Sequence, residues 1–403
     1  MILIHCAACA APLVHDAPGC GVCATRYCSE ACRLDGQRGG HNEVCLAIHD
    51  GGNAEQYHAD QKYNEAVSVA VEACADDTAG QMCYICYGEG DEEGLVRGCS
   101  CRGESGFAHV SCLARQAQVA VERGGGRRFD RWYSCGLCEQ DYHGAVRCAL
   151  GWACWKTYLG RPEENLLRRE AMKQLGNGLY AANDVGCGDV LDSFCVRHAH
   201  LSLLRRVGAP EGDILAARGK LARTYRMLGR GEEALRIVRH AYFKHCRLLG
   251  EDDRESLVLA ENYASSRLYL DPDEAKALLR KIIPVARRVF GEDHQLAIRL
   301  RWLYAARLCE DPKGSEPTLD DVREAATTLE ELERTARRVL GGGHPMAREI
   351  KSSMHYARSL LPVFRVAAEW FSYRNCILTR RKYFVNNAVD DGRDADMDDV
   401  LAS

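Results

Sequence analysis

The sequence contains no run of eighteen consecutive apolar residues, which is about the shortest length that spans a membrane as a helix. The best candidate, residues 360–377, carries the charged residues Arg365, Glu369 and Arg374. The first residues, MILIHCAACAAP, lack the basic region of a secretion signal, and cysteines interrupt their short apolar run. We therefore expect a soluble protein without a signal peptide or a membrane span.

A surplus of positive charge is also absent, because the 403 residues carry a formal net charge of −4. Nucleic-acid-binding domains usually have a basic surface, so we expect no nucleic-acid partner. The sequence has no Walker motif and no dinucleotide-binding glycine motif. His198 and His200 would point to different faces of a helix and do not form a metal pair. No set of residues therefore predicts a catalytic site.

Cysteine, in contrast, is abundant, with 22 residues. In a secreted chain this number would indicate disulfides. Here fourteen cysteines fall in closely spaced pairs together with two histidines, which favours metal binding in a reducing, intracellular compartment, either cytoplasm or nucleus. The remaining eight stand singly, and we interpret them as small buried apolar residues. They are Cys74, Cys148, Cys154, Cys187, Cys195, Cys246, Cys309 and Cys376.

The region from residue 83 to residue 138 contains four pairs of potential metal ligands, in the segments CYIC, CSC, HVSC and CGLC. A short gap within a pair lets both side chains turn toward one ion, and zinc prefers four such thiolate or imidazole ligands in a tetrahedron. Four pairs make two closed sites, which predicts a structural and not a hydrolytic role. The eight residues are Cys83, Cys86, Cys99, Cys101, His109, Cys112, Cys135 and Cys138.

This spacing, with histidine as the fifth ligand and the flanking segment CRGESGFAHVSCL, resembles the RING-CH finger, a RING variant of membrane-associated ubiquitin ligases. The resemblance implies that the pairs interleave. One zinc ion would then be held by Cys83, Cys86, His109 and Cys112. The other would be held by Cys99, Cys101, Cys135 and Cys138.

The same resemblance implies a ubiquitin ligase in which the finger docks a ubiquitin-conjugating enzyme and positions the ubiquitin thioester. By the family's pattern Ile85, Trp132 and Leu137 would form the apolar docking surface. Alternatively, Ile85 and Trp132 are ordinary core residues of a small domain. Glu139 stands where many active RING fingers carry a cation. This residue favours the second hypothesis, a non-catalytic interaction scaffold.

Residues 1–50 contain a second set of eight ligands that resembles a MYND finger. The resemblance implies one zinc ion on Cys6, Cys9, Cys28 and Cys32, and another on Cys20, Cys23, His41 and Cys45. The Trp that usually precedes the histidine is missing, so peptide recognition by this finger is in question. A domain of this size has too little core to fold without its metal. We expect four Zn²⁺ ions per chain, two in each finger.

The second half of the sequence is periodic. The junctions LLGEDD, VFGEDH and VLGGGH place glycines at Gly250, Gly291 and Gly341, 41 and 50 residues apart, and the longer interval contains the insertion EDPKGSEPTLDD. A small residue, at Ala234, Ala275 and Ala325, precedes each glycine by 16 residues. These alanines predict close helix approach, and each glycine predicts the end of a helix. We interpret the arginine pairs, such as Arg287 and Arg288, as solvated faces that pair with nearby acids.

The packing residues of one unit fall where a tetratricopeptide repeat places them, and the period with its LGEDH junctions resembles the kinesin light-chain form of that repeat. The resemblance implies an α-solenoid whose concave face binds a peptide or a protein substrate. We therefore expect a mainly α fold with two zinc-stapled fingers and helix-turn-helix repeats. The expected parts are a MYND-like finger (1–50), a helical linker (51–80), a RING-CH-type finger (81–145), the solenoid (146–361), a capping helix (362–387) and an acidic disordered tail (388–403).

Overall fold

The computed structural model describes residues 6–9, 11, 13, 16–88, 93–124, 129–183, 190–268, 270–309 and 317–366. Within these residues the regular structure is helical, and three isolated β-bridges take the place of strands. The predicted mainly α fold class is confirmed. The helices are α1 Glu30–Gly36, α2 Asn42–Asp50, α3 Ala54–Thr78, α4 Val110–Glu122, α5 Gly144–Tyr158, α6 Leu166–Asn183, α7 Val190–Arg206, α8 Glu211–Met227, α9 Gly231–Leu249, α10 Arg254–Arg267, α11 Pro272–Phe290, α12 Gln295–Leu308, α13 Leu319–Val339 and α14, residues 345–366.

Helix α3 is the connector between the two cysteine-rich regions. Its first turn is capped by Asn53, whose side chain accepts a hydrogen bond from the backbone N–H of Gln56 at 3.0 Å. Val67 and Ala70 are buried in one core with Phe107 of the second finger. The connector therefore packs against the second finger along these residues, and its first residue, Ala54, shares a small core with Cys23 and Ile48 of the first finger. The sequence left the choice between the two fingers open, and the helix contacts both.

Helix α5 joins the second finger to the repeats and is buried along most of its length. It crosses α6 closely at Gly178, where a Cβ atom would lie 2.7 Å from the carbonyl oxygen of Arg147. Trp152 and Trp155 share a core with residues of α6 and of the finger. The boundary expected between residues 145 and 146 falls inside α5, which begins at Gly144.

The repeats are helix pairs, α6 with α7, α8 with α9, α10 with α11, and α12 with α13, and α14 follows. Helices α9 and α11 end at Gly250 and Gly291, whose φ angles of 92° and 90° suit glycine. The predicted close approach is seen at Ala234, Ala275 and Ala325, which are fully buried. The insertion before α13 lies largely outside the described residues.

Helix α14 continues through residues 361 and 362 without a break. The capping helix expected over 362–387 is described only as far as residue 366, and the acidic tail expected over 388–403 lies outside the described residues.

The last repeat contacts the second finger. Arg102 of the finger donates hydrogen bonds to the carbonyl oxygens of Arg337 and Arg338, at 2.8 and 2.7 Å, at the end of α13. The His143 and His344 rings meet edge to face with centroids 4.8 Å apart. Residues 235 positions apart in the chain are thus neighbours in space.

Candidate metal centres and docking surface

Three Cys-x-x-Cys turns share one backbone geometry. The residue after the second cysteine has a positive φ in each case, 61° at Ala24, 59° at Tyr87 and 57° at Glu139. Its N–H donates to the carbonyl oxygen of the first cysteine, at 3.0, 2.9 and 3.1 Å respectively. These are the non-glycine residues with positive φ in the described part of the chain. A conformation that is costly elsewhere recurs only at the candidate metal turns, so the metal is expected to stabilise it.

A second hydrogen bond closes each of these turns. The N–H of the first cysteine donates to the carbonyl oxygen five residues later, at 2.8 Å from Cys20, 2.8 Å from Cys83 and 2.9 Å from Cys135. Cys6 makes the same bond, to Ala11 at 2.7 Å. Both cysteine side chains of each pair are thereby turned to the same side of the loop. Half of each site is therefore supplied by one short segment of the sequence.

The structure brings the sixteen predicted ligand side chains together in four groups, and within each group the ligand atoms lie within 4.8 Å of one another. The groups are Cys6, Cys9, Cys28 and Cys32; Cys20, Cys23, His41 and Cys45; Cys83, Cys86, His109 and Cys112; and Cys99, Cys101, Cys135 and Cys138. Each contains two pairs that are distant in sequence, which is the interleaved arrangement. Every cysteine in the described residues is a free thiol.

The distances between ligand atoms fit zinc. A tetrahedral ion with Zn–S bonds of about 2.3 Å separates its sulfur atoms by about 3.8 Å. The Sγ atoms of Cys9 and Cys28 are 3.5 Å apart, and those of Cys101 and Cys135 are 3.7 Å apart. The Nδ1 atom of His109 lies 3.4 Å from the Cys86 Sγ. The donor atoms and their spacing therefore suit Zn²⁺ with all four positions filled by protein.

The thiols within a group have contrasting pKa values. Burial acts to raise the pKa of Cys20, but backbone hydrogen bonds and the nearby imidazole lower it to about 6. Burial and the neighbouring thiols raise the pKa of Cys45 to about 12. In the second finger, backbone hydrogen bonds outweigh burial and lower the pKa of Cys83 to about 7. Burial is the main cause that raises the pKa of Cys112 to about 12. One thiolate forms readily in each group, and a cation stabilises the others.

A groove of about 510 Å³ lies beside the zinc groups of the second finger. Ile85 is half-buried in the first turn, and Leu137 is 52% exposed in the last. Helix α4 contributes one side of the groove, and the surface is apolar with arginines around it. The lining residues are Tyr84, Ile85, Cys112, Arg115, Gln116, Val119, Ala120, Arg123, Arg131, Gly136 and Leu137.

The prediction that Trp132 contributes to this surface is wrong. Its side chain is 0% exposed, and its ring packs edge-on against Tyr158 of α5 with centroids 5.9 Å apart. Helix α5 covers the face of the finger that carries the tryptophan, so the indole belongs to the shared core. The alternative interpretation of a core residue is correct for Trp132.

Sequence reasoning missed the part of the groove that α4 supplies. Arg115, Val119 and Arg123 recur at four-residue spacing after the ligand Cys112, so they lie on one face of the helix. Arg115 and Arg123 are exposed and form no salt bridge within the described residues. This helical stripe after the sixth ligand was the signal in the sequence that could have identified them.

Comparison with known families supports two of the three resemblances. Residues 83–138 match the model of the RING-variant domain, and residues 214–255 and 271–296 match that of the tetratricopeptide repeat. Residues 83–138 are a RING-variant domain, and the later segments are tetratricopeptide repeats. No curated protein matches the sequence.

Among solved structures, the TPR-like repeats of a kinesin light chain from Podosopora anserina, which are nearly identical to one another, are similar to this chain. A single-residue variant of those repeats has 14% identity to this chain and a TM-score of 0.35, and the repeats without the substitution have 14% identity and a TM-score of 0.34. Each match covers 57% of this chain and 95% of the other. Within the described residues, none of the helices has both the length and the apolar character needed to cross a membrane.

Proposed function

We propose that this protein is a RING-CH-type ubiquitin ligase whose second finger docks a charged ubiquitin-conjugating enzyme. The groove between Ile85 and Leu137, within a RING-variant domain, is the observation that carries the proposal. These two residues lie in turns that belong to different zinc groups. Both ions, when bound, would therefore fix the distance between the two apolar contacts. The finger contributes by positioning the thioester and does no covalent chemistry of its own.

The proposed cofactor is Zn²⁺, with four ions per chain held by the four ligand groups. When bound, each ion would neutralise thiolate charge and hold two distant segments together. The chain's own residues supply every coordinating atom, so no position is left for a reacting water. The first finger would act as a MYND-like module, and its missing tryptophan argues against recognition of proline-rich peptides.

The rim of the groove suggests what the docked enzyme presents. Arg115 and Arg123 are free of salt bridges within the described residues and flank the apolar floor formed by Val119 and Ala120. An acidic edge on the conjugating enzyme would complement them and steer its association. The helical repeats would hold a protein substrate on their concave face, as tetratricopeptide repeats bind peptides.

A second candidate is a zinc-dependent interaction scaffold without transfer activity. Glu139 favours it, because an exposed acid directly follows the last ligand where many active fingers place a cation. Its backbone is held by the turn, with a φ of 57°. The turn therefore holds the Cα atom of Glu139 in place beside the groove, where its carboxylate would repel an acidic partner surface.

Reconstituted ubiquitin transfer with the zinc-loaded full chain and a panel of conjugating enzymes tests the two candidates. We expect autoubiquitination with at least one enzyme. Ile85→Ala and Leu137→Ala should each reduce the rate about tenfold, the effect expected for removing an apolar anchor at the centre of an interface. Leu166→Ala removes a side chain that is 58% exposed on α6, outside the groove, and should leave the rate unchanged.

The variant Glu139→Arg separates the candidates further. A rise in the rate would support a ligase that the acid weakens. Absence of transfer across the panel, for both the original chain and Glu139→Arg and with four zinc ions confirmed by mass spectrometry, would leave the scaffold as the function.

A further inference from the structure

The outward face of α9 carries a groove of about 710 Å³, here called the α9 groove. Phe243 lies in it and is 45% exposed, and Leu270, beyond the end of α10, is 40% exposed at its edge. Arg236, Arg239 and Arg247 line the same groove and are exposed. The surface thus combines two apolar side chains with a row of cations.

The three arginines of the α9 groove have no salt bridge to any residue that the structure describes. The neighbouring Lys244 is different, because its Nζ atom lies 2.6 Å from a carboxylate oxygen of Glu211. Side chains of α9 on the other face, such as Val238 and Ala241, are buried against the adjacent helices. The cations therefore face solvent together.

The corresponding helix of the next repeat provides an internal comparison. Alignment of Ala234 with Ala275 places Arg239 at Arg280 and Arg247 at Arg288. Arg280 donates to the Tyr304 hydroxyl at 2.9 Å, and Arg288 pairs with Asp252 at 2.6 Å. In the repeat after that, Arg338 pairs with Asp293, also at 2.6 Å. At the position of Arg247, the cations of the next two repeats are therefore paired with acids of the solenoid, and at the position of Arg239 the next repeat supplies a hydroxyl acceptor.

The missing partners of α9 have a cause in the sequence. Between Gly250 and the N-cap Asp253 stand Glu251 and Asp252, which hold the cations of α11. The preceding junction is shorter. Between Gly208 and the N-cap Pro210 stands Ala209 alone, a buried apolar residue. The acids are absent from this junction, but Arg247, the counterpart of Arg288, is present and has no acid among the described residues to neutralise it.

We propose that the α9 groove binds an acidic peptide segment of another protein, in which a bulky apolar side chain packs on Phe243 and Leu270. Charge complementarity is the basis of this choice. The chain as a whole is acidic, with a net charge of −4, so the cluster is a local feature and does not reflect a basic protein. This surface is separate from the groove of the second finger and does not rest on the proposed ligase activity.

A peptide fits the α9 groove better than a nucleic acid does. Glu232 lines one end of the groove and would repel a continuous phosphate backbone. Phe243 and Leu270 offer contacts that an aliphatic or aromatic side chain would fill. A short acidic segment can place its carboxylates on the arginines and still leave the glutamate end free.

Fluorescence anisotropy with the zinc-loaded full chain tests the proposal. The probe is a labelled peptide of about twelve residues, rich in Asp and Glu with a central Trp and Leu, and the matched probe has Asn and Gln in place of the acids. We expect the acidic probe to bind at least about tenfold more tightly, and its affinity to fall steeply with added salt because the contacts are exposed.

Variants at equivalent positions make the test specific. Arg239→Ala combined with Arg247→Ala should weaken binding about tenfold or more, and Phe243→Ala should also weaken it. The matched control, Arg280→Ala combined with Arg288→Ala in α11, should bind like the original chain. Circular dichroism of each variant establishes that the helices are intact, so that loss of binding reports on the groove.

Three results would overturn the proposal. One is equal affinity for the acidic and neutral probes, and another is tighter binding of a single-stranded oligonucleotide to the same arginines. The third concerns the source of the acidic segment. If the probe binds only when the six aspartates within residues 390–399 are replaced by Asn, the chain's own acidic segment is the occupant and not another protein.

Discussion

The two cysteine-rich regions have the same number of ligands but differ in what surrounds them. The first region has a small apolar cluster of Cys23, Ile48 and Ala54, and its helices α1 and α2 are short. The second region shares its core with α3 and α5. A further core joins Trp132 of this finger to the first repeat. Metal is thus expected to be the main source of order in the first finger, and one of two sources in the second.

Removal of zinc should have the largest effect, and it should disorder the first cysteine-rich region much more than the helices packed on the second. Zinc binding contributes roughly 10–16 kcal/mol to such fingers, more than the apolar cluster of the first region can replace. We expect a chelator to abolish hydrogen-exchange protection throughout residues 16–50, while α5 and α6 keep most of theirs. Native mass spectrometry should record the loss of four zinc ions. A metal-free chain that retains protection in the first region would contradict the assignment.

The link between the second finger and the repeats should give the next largest effect. Arg147 is buried and donates to the carbonyl oxygen of Trp132 at 2.8 Å and to the Gln174 side chain at 2.6 Å. Arg147→Ala leaves both acceptors buried without a donor, which should lower the free energy of unfolding by about 3–4 kcal/mol. Arg33→Ala, which breaks a surface pair with Glu30 in the first finger, should leave the free energy of unfolding almost unchanged.

Urea unfolding of both arginine variants measures this difference. Equal stabilities would show that the buried guanidinium does not join the finger to the repeats.

The close crossing of α5 and α6 predicts a smaller effect. In Gly178→Ala the new Cβ would meet the Arg147 carbonyl at 2.7 Å, so backbone must shift, at a cost of about 1–3 kcal/mol. Gly231→Ala adds a Cβ that meets nothing within 4 Å and should be neutral or slightly stabilising. Thermal unfolding of the two variants distinguishes strain at the crossing from a general effect of alanine.

The contact of the last repeat with the second finger should depend weakly on pH. Burial lowers the pKa of His143 to about 4 and that of His344 to about 3. A histidine in the unfolded chain has a pKa near 6.5. Between pH 6.5 and the lower pKa values of the folded state, the unfolded chain therefore binds more protons than the folded chain. Stability should therefore fall as pH drops below about 6.5, by an amount on the order of 1–3 kcal/mol.

Comparison of the original chain with His344→Gln isolates this contribution from the titration of zinc ligands. The variant should lose less stability between pH 7 and pH 5, measured by urea unfolding. An unchanged slope would show that the histidine pair does not couple to folding.

The sequence predicted what is determined locally. A Cys-x-x-Cys turn needs only its own backbone hydrogen bonds, so the pairs were recognisable, and the periodic glycines marked the ends of α9 and α11. The role of Trp132 was not predictable in this way, because its environment depends on Tyr158, which lies beyond the finger. The α9 groove could not be predicted from the sequence either. The sequence places arginines at matching positions of α9 and α11, and only the structure shows that, among the described residues, those of α11 have partners and those of α9 do not.

The contact of Arg102 with the end of α13 restricts how the array of helix pairs can bend. A tetratricopeptide array with a free end can change its curvature by small rotations between neighbouring units. Here the first repeat packs on the second finger through α5, and the end of α13 contacts the same finger through Arg102. A change in the curvature between these two points must therefore either break the Arg102 contact or strain the finger.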